Sequence, residues 1–526
     1  MLPSKLTGRP GRGRIAIASE NSSVGLRLGV VAFLVGGGTL ATEISASRLL
    51  APYFGASTVV WANIIGLTLA YLALGYWLGG QLADRRPDPR VLAAILLVAA
   101  VALAVTPFAA RPFLRWALHG FDAVSAGSVA GSFFAALALF AVPVTALGAA
   151  APFLVRLALD SVAEAGKVAG RLYALSTAGS LAGTFVAALV TIPWAGTQRT
   201  LIGTAAFVAA GAALLLGRPW LLAPVAVAAL LVVPTPQIKS AIYETESQYQ
   251  YIRVVNDGHG GRELELNEGV ATHSAWRAGS VLTGRYWDLF LMLPPLLSHP
   301  PQRMLVIGNA GATMARAYGR FYPSVAIDGV ELDPELNEVA RRFFGADDNP
   351  SLRLIAADGR PFLERTNNRY DLIVVDAYRQ PYVPFYLATT EFFRLARAHL
   401  RPGGAIAVNV AATPTDRKLA DAVGTTLLSA FPQAWRWRAL RFNDVVFALR
   451  QPVSRDELER RATRASGEVA LLLPLFRSRL EPVRASGKPL TDDRAPVEWL
   501  TDRMILRELE RGGGFDEPAL PTAPNG

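Results

Sequence analysis

The sequence contains no cysteine and very little histidine. Among its 526 residues, Cys is absent and His occurs 5 times. The missing thiols exclude a disulfide framework, a Cys-ligated zinc or iron–sulfur site and a thiol nucleophile. So few histidines also argue against a His-rich metal centre. We therefore predict no metal site.

Charged residues are scarce as well, and the shortage is local. Only 18% of the residues are charged, against 52% hydrophobic, whereas a soluble domain usually carries about 25% charged residues. Residues 25–234 are almost continuously apolar, and from residue 237 onward the chain reads as an ordinary soluble protein. This distribution excludes a wholly soluble enzyme and also a pure membrane carrier.

The charge that is present is mostly basic. The chain has 52 Lys and Arg residues against 42 Asp and Glu, a formal net charge of +10. In a membrane protein, basic residues mainly set orientation and contact anionic lipid. No basic stripe with interleaved aromatic residues is present, so we predict a lipid bilayer and no nucleic acid as a partner.

Several apolar runs are long enough to cross a membrane, whose core of about 30 Å needs about 20 apolar residues per helix. The last two runs are short and only Gly217-Arg218-Pro219 separates them. The sequence thus predicts a transmembrane helical domain at 25–236 with six or seven spans. The candidate spans are 26–46, 57–82, 91–110, 128–150, 170–194, 199–216 and 219–235.

The basic residues also predict orientation. The tail at 1–24, which we expect to be disordered, and the links at 83–90 and 156–171 are basic and should lie in the cytoplasm. Six spans would place the soluble half on that same side, and seven would place it outside. We predict a multi-pass protein of the cell (inner) membrane with a cytoplasmic soluble domain, provided that 219–235 does not cross.

Small and ionisable residues mark two features within the spans. Gly75, Gly79 and the stretch 149–151 suit close helix packing in lipid. Glu43 lies within the first span, where an ionisable group is by default a functional hypothesis. Pairing with Arg48, or solvation near the interface, explains Glu43 equally well.

The soluble half begins with an alternating pattern and continues with alternating strands and helices. Residues 249–255 and 262–266 flank a Gly-rich turn, which is typical of a β-hairpin. The later alternation predicts a doubly wound parallel sheet with helices on both faces. We divide this half into a small β-hairpin region (237–302), a Rossmann-like domain (303–510) and a disordered Gly/Pro-rich tail (511–526).

Polar and small residues stand where the predicted strands end. Ligands of a doubly wound sheet bind beyond the carboxyl ends of its strands. Glycines there let the backbone approach a ligand, and a carboxylate after the second strand can hold ribose hydroxyls. The sequence therefore predicts a nucleoside pocket. Its candidate residues are Gly308, Gly311, Glu331, Asp358, Gly359 and Asp376.

Together, several motifs of this half resemble the spermidine synthase family of aminopropyltransferases, whose fold is shared with class I AdoMet-dependent methyltransferases. The whole chain resembles bacterial membrane proteins in which a multi-span domain is fused to such a domain. The segments that carry the resemblance are 247–254, 329–333, 358–359, 371–376 and 490–497.

The resemblance implies the roles of individual residues. Glu331 would bind the ribose and Asp358 the adenine of decarboxylated AdoMet, which acts as a cosubstrate rather than a tightly bound cofactor. Gln250 would be a further pocket contact. Asp376 would accept the proton that an amine, such as the polyamine precursor putrescine, must lose before it attacks.

The sequence departs from the family pattern on the amine side. Gly311 stands where the family's glycine turn carries an Asp, and Arg379 stands where a second acid follows the catalytic Asp. We expect Asp288 to replace one of these acids, and we assign Asp288 and Tyr378 to substrate binding.

Two other functions stay open. An AdoMet-dependent methyltransferase would use the same nucleoside-binding residues. A non-catalytic membrane protein that senses polyamines or nucleosides, or is linked to transport, would account for Glu43 and for the segment 75–86, which resembles a major-facilitator loop motif. The oligomeric state, including a homodimer, is also left open.

Overall fold

The computed structural model describes residues 12–54, 58–122, 127–159, 161–233, 241–267, 271–378, 382–438, 440–510 and 519–522. The chain divides into two compact units. One comprises 1–50, 61–117 and 132–236, and the other comprises 51–60, 118–131 and 237–526.

The first unit is helical, and in the part of the chain that the structure describes six helices are long and apolar enough to cross a membrane. The seventh candidate, 219–235, is a shorter apolar helix, Arg218–Val232. The helices are α1 (Arg12–Phe54), α2 (Thr58–Arg85), α3 (Pro89–Asp122), α4 (Gly127–Ala158), α5 (Ala165–Val186), α6 (Ile192–Ala195), α7 (Thr197–Leu216) and α8 (Leu222–Ala229).

Small residues allow α2 and α4 to touch. A Cβ atom on Gly75 would lie 2.3 Å from the Thr145 carbonyl oxygen, and one on Gly79 would lie 2.4 Å from that of Ala149. No larger side chain fits at such distances, so the two stretches of small residues form one helix contact.

The tail predicted at 1–24 needs a correction. Residues 12–24 continue α1 as helix rather than forming a disordered segment, and residues 1–11 lie outside the described part. The reason is local: this stretch contains neither Pro nor a run of Gly, and it joins an apolar helix whose turns it extends. Glu43 lies in the same helix and is half-buried.

The second unit begins with a four-stranded antiparallel sheet, which extends the predicted hairpin by one strand on each side. The hairpin itself pairs Ile252 with Leu266 and Asn256 with Arg262. Alternate residues of this sheet, among them Ile252, Val254 and Leu264, are buried against Phe343 and Phe344. The strands are β1 (Ala241–Glu246), β2 (Tyr251–Asn256), β3 (Gly261–Leu266) and β4 (Thr272–Arg277).

An eight-stranded sheet follows, in the order β12-β10-β11-β9-β8-β5-β6-β7. Strands β5 to β9 pair in parallel, and β10, β11 and β12 add an antiparallel edge that we did not predict. The strands are β5 (Arg303–Ile307), β6 (Ala326–Glu331), β7 (Leu352–Ala356), β8 (Tyr370–Val375), β9 (Leu400–Ala411), β10 (Trp435–Trp437), β11 (Asn443–Leu449) and β12 (Leu480–Pro482).

Helices cover both faces of this sheet, and each face buries its own apolar cluster. The parallel strands are therefore apolar along almost their whole length, as in β8, where all six residues are buried. The helices are α9 (Leu293–Leu296), α10 (Thr313–Phe321), α11 (Pro334–Phe344), α12 (Gly359–Arg365), α13 (Thr390–His399), α14 (Lys418–Ala430), α15 (Arg455–Ala462), α16 (Leu473–Arg479) and α17 (Val497–Glu510).

The C-terminal tail also differs in part from the prediction of disorder at 511–526. Residues 511–518 and 523–526 lie outside the described part of the chain. Residues 519–522 pack within the second unit: Leu520 is buried in its core, and Thr522 is 3% exposed.

Candidate active site

The candidate site lies where the strand order of the large sheet reverses, between β5 and β8. From β5 the chain proceeds outward to β6 and β7, and it then returns to β8 on the other side. At this point Gly308 has φ +86°, and a Cβ atom there would lie 2.5 Å from the Asp376 carbonyl oxygen. Only glycine fits, so Gly308 brings the ends of β5 and β8 together.

Asp376 follows β8 directly, and its carboxylate is held by two donors. Asn409 Nδ2 donates to Oδ1 at 2.8 Å, and the Tyr286 hydroxyl donates to Oδ2 at 3.2 Å. The pKa of Asp376 is raised from 3.8 to about 7, mainly by burial and to a smaller extent by the nearby Glu331, although the two hydrogen bonds lower it. A carboxylate with this pKa is suited to exchange protons near neutral pH.

The residues around Asp376 are themselves fixed. Asn409, at the end of β9, accepts a hydrogen bond from Asn443 Nδ2 at 2.9 Å, which orients its amide toward Asp376. The Tyr378 hydroxyl donates to the Asn409 carbonyl at 3.1 Å and accepts the Ala411 amide at 2.8 Å. The hydroxyl of Tyr378 is therefore engaged within the protein, and only its ring is left to contact a substrate.

Glu331 ends β6 and turns back toward the glycine turn. Its Oε2 accepts the Ala310 amide at 2.9 Å, and its Oε1 accepts the Leu332 amide at 2.8 Å. The residue is 9% exposed, and burial raises its pKa. Glu331 thus lies beside the turn after β5, where a ribose bound at the switch point would also lie.

Asp358 follows β7 and caps α12. It accepts the Arg360 amide at 3.2 Å and the Tyr386 hydroxyl at 3.1 Å. Gly359 is buried, and a Cβ atom there would lie 2.3 Å from Ile307 Cγ2. We therefore interpret Gly359 as a packing position between α12 and β5 rather than as a ligand contact.

Gln250 reaches the site from the loop before β2. Its Nε2 donates to Asp333 Oδ2 at 3.2 Å, and Ser247 donates to the same oxygen at 2.5 Å. Asp333 is the N-cap of α11, two residues after Glu331. This network fixes the small antiparallel sheet to the N-terminus of α11, beside Glu331.

The structure engages the polar groups of two predicted ligand contacts, Asp288 and Gly311, within the protein. Asp288 does not face a substrate: it is 1% exposed and accepts the Thr283 and Gly284 amides and the Thr522 hydroxyl. Gly311 is buried, and its amide donates to Ser274 Oγ at 2.8 Å rather than to a ligand. In both cases the polar group that was predicted to contact a ligand forms its hydrogen bonds with another loop or strand of the protein. Arg379 lies outside the described residues.

The residues that hold Asp376 and Asp358 could not be assigned to this role from the sequence. Asn409 lies near the end of β9, where a polar residue follows the same rule as Asp376. Tyr286 and Tyr386 are distant along the chain and carry no local signal, since aromatic residues occur in any core. Only tertiary contacts bring these two hydroxyls to the carboxylates.

Known proteins are similar to the part of the chain that contains Glu331, Asp358 and Asp376. Residues 289–435 match the family model of the spermine/spermidine synthase domain. The chain is 32% identical over 293 residues to a probable polyamine aminopropyl transferase of Bifidobacterium longum, covering 51% of this chain and 64% of the relative. It is 31% identical over 215 residues to polyamine aminopropyltransferase 2 of Pseudomonas aeruginosa, covering 39% and 59% respectively. The chain thus spans less than two thirds of the length of these relatives.

Among solved structures, the chain is similar to a probable spermidine synthase from Corynebacterium glutamicum. The identity is 19% and the TM-score 0.39, and the match covers 49% of this chain and 99% of that one. The match of residues 289–435 to the spermine/spermidine synthase domain and the names of the curated relatives confirm the family resemblance inferred from the sequence.

Proposed function

We propose that the protein is a membrane-anchored aminopropyltransferase that moves the aminopropyl group of decarboxylated AdoMet onto an amine. The Asp376 carboxylate carries this proposal. It stands at the switch point of a spermine/spermidine synthase domain, with a pKa near 7 and two donors that orient it. The names of the relatives that are 31% and 32% identical point to the same reaction.

In the proposed reaction the amine nitrogen attacks the aminopropyl carbon that is bound to the sulfonium. A nitrogen–carbon bond forms as the carbon–sulfur bond breaks, and the electron pair of that bond stays on sulfur, which leaves as the neutral thioether of methylthioadenosine. The proton lost by the amine passes to Asp376. The base and the amine must therefore be neighbours before the attack.

The raised pKa of Asp376 makes this proton transfer easier. An alkylammonium has a pKa of about 10.4, so transfer to a carboxylate of ordinary pKa would be uphill by about 9 kcal/mol. Against a pKa of about 7, the difference falls to about 5 kcal/mol. Burial of the Asp376 carboxylate thus lowers the free energy that is needed to transfer the proton from the amine.

The nucleoside half of the cosubstrate would be bound at the neighbouring strand ends. We assign the ribose hydroxyls to Glu331 and the adenine to Asp358, with Gln250 closing the edge through Asp333. We take putrescine as the first acceptor amine to be tested.

The proposal is tested by turnover of the purified full-length protein. It is incubated with decarboxylated AdoMet and a panel of amines that includes putrescine, and mass spectrometry detects methylthioadenosine and the amine enlarged by one aminopropyl group. Parallel reactions contain AdoMet instead. Methylated amine would indicate the methyltransferase alternative, and binding of decarboxylated AdoMet without product would indicate a non-catalytic protein.

Replacing Tyr286 by Phe should lower kcat by about 2- to 13-fold, the equivalent of one lost hydrogen bond of about 0.5–1.5 kcal/mol. Because the Tyr286 hydroxyl lowers the pKa of Asp376, its loss should also move the acid limb of the pH–rate profile above pH 7. The measurement is kcat/KM between pH 5 and 9. Tyr249→Phe, at an exposed tyrosine, is the control, and a Tyr286→Phe profile identical to that of the wild type would contradict the assignment.

We also propose that the six apolar helices span the inner membrane and that the soluble unit lies in the cytoplasm. Six crossings return the chain to the side where it began, and the basic links at 83–90 and 156–171 then lie on that side. Because the chain lacks Cys, a single introduced cysteine is the one site that a maleimide can label. Labelling therefore shows on which side of the membrane that position lies. Pro87→Cys and Ser478→Cys should both resist an impermeant maleimide in intact cells and react after permeabilisation. Labelling of Ser478→Cys in intact cells would overturn the orientation.

A further inference from the structure

Residues 519–522, which the structure describes near the C-terminus, pack on the loop that leads to Tyr286; we name them the C-terminal strap. The Leu520 amide donates to the Gly284 carbonyl at 2.7 Å, and the Leu520 side chain is 4% exposed in the same apolar cluster as Trp287. The Thr522 hydroxyl donates to Asp288 Oδ2 at 2.7 Å. The strap therefore contacts the loop through one hydrogen bond, the 3₁₀ helix after it through a second, and their apolar cluster through one side chain.

Asp288 links the strap to the turn before Tyr286. Its Oδ2 accepts the Gly284 amide at 2.8 Å, and its Oδ1 accepts the Thr283 hydroxyl at 3.1 Å. The carboxylate is 1% exposed, so a donor that is removed is not replaced freely by water. Loss of the Thr522 hydroxyl would therefore disturb the turn at 283–285.

Tyr286 follows this turn directly and begins the short 3₁₀ helix Tyr286–Met292. Its ring lies 4.5 Å from that of Trp287, centroid to centroid, and its hydroxyl reaches Asp376 Oδ2 at 3.2 Å. The contacts thus form one connected path from the strap through Asp288 and the turn to the candidate base.

We propose that the C-terminal strap positions Tyr286 on Asp376, so that Thr522 and Leu520 are positioning residues of the active site although they do not touch the reacting atoms. This inference rests on the proposed aminopropyl transfer.

The strap should affect Asp376 only through Tyr286. The other groups that face Asp376 come from different elements: Glu331 from β6, Asn409 from β9 and Tyr378 from the segment after β8. None of the hydrogen bonds of the strap involves these residues. A weakened strap should therefore reduce the donation by Tyr286 and leave nucleoside binding unchanged.

The test is Thr522→Val in the full-length protein, with Thr522→Ser as the rescue and Pro521→Ala, at an exposed neighbour, as the matched control. Because the strap acts only through Tyr286, we expect kcat to fall by no more than it does in Tyr286→Phe, that is by about 2- to 13-fold. The acid limb of kcat/KM should move upward, while KM for decarboxylated AdoMet should stay constant. Thr522→Ser and Pro521→Ala should behave as the wild type.

Hydrogen exchange of the amides of 283–292 gives a readout that needs no turnover. Thr522→Val, and a chain that ends at residue 518, should both exchange faster there than the wild type does. Unchanged exchange in both would overturn the inference. Faster exchange in an active enzyme whose pH profile is unaltered would also overturn it. If the wild type transfers no aminopropyl group at all, the proposed function fails, whereas the exchange result still shows whether the strap holds the loop.

Discussion

Replacing Asp376 by Asn should lower kcat by about 10²- to 10⁴-fold, the usual contribution of a positioned general base, and leave the affinity for methylthioadenosine nearly unchanged. The amide cannot accept the proton of the amine, but it fills the same space between Tyr286 and Asn409. Wild-type kcat/KM should rise with pH through about 7, because only the ionised carboxylate is a base and its pKa is about 7. Initial rates between pH 5 and 9, and calorimetric titration with methylthioadenosine, check both statements.

Stability separates a lost base from a damaged fold. The folded-state pKa of Asp376 lies above its ordinary value of 3.8, so the ionised side chain costs stability, which falls as the pH rises from about 4 to about 7. The rise in pKa corresponds to a cost on the order of 4 kcal/mol. Asp376→Asn removes this cost, and its melting temperature at pH 8 should therefore equal or exceed that of the wild type. Asp347→Asn, at a side chain that is 76% exposed, should leave rate and stability unchanged. Full turnover by Asp376→Asn would contradict the assignment of Asp376 as the general base.

Replacing Glu331 by Gln should raise the Kd for methylthioadenosine by about 100-fold or more. A carboxylate accepts a hydrogen bond from each ribose hydroxyl, and bonds to a charged group contribute about 1.5–3 kcal/mol each. Glutamine has the same shape but only one acceptor oxygen, and its NH₂ group would also face either the Ala310 or the Leu332 amide. The affinity is measured by calorimetry on the full-length protein.

The comparison for this variant is Glu338→Gln, an exposed carboxylate on α11. It should bind methylthioadenosine as the wild type does. Glu331→Ala should bind more weakly still, because it also leaves the turn amides without an acceptor. Unchanged affinity in Glu331→Gln would mean that the nucleoside does not lie at the end of β6, and the assignment of the pocket would fall with it.

The sequence predicted the parts of the fold that depend on local patterns. Apolar runs of about 20 residues predicted the six helices that are long enough to cross a membrane, and apolar strands followed by Gly or Asp predicted β5 to β9 and the ends where Glu331, Asp358 and Asp376 stand. These predictions succeed because the parallel sheet aligns the carboxyl ends of its strands along one edge, so that a position in the sequence becomes a position in the pocket.

The same patterns failed where a residue is used by a distant segment. Asp288 was predicted to face the substrate, but Thr522, 234 positions later, and the turn at 283–284 occupy its carboxylate. Gly311 was predicted to contact the cosubstrate, but Ser274 of β4 takes its amide. The sequence around a polar group does not show whether its hydrogen bonds will be made with a ligand or with another loop of the protein.

The sequence by itself determined an apolar helical half, an α/β half and the three carboxylates at the strand ends, because periodicity and strand-end position are local properties. Only the tertiary structure decided which donors hold those carboxylates, that the C-terminal strap closes on Asp288, and that burial brings the pKa of Asp376 to about 7. Hydration and hydrogen bonding depend on everything that surrounds a group, and that environment exists only once the chain has folded.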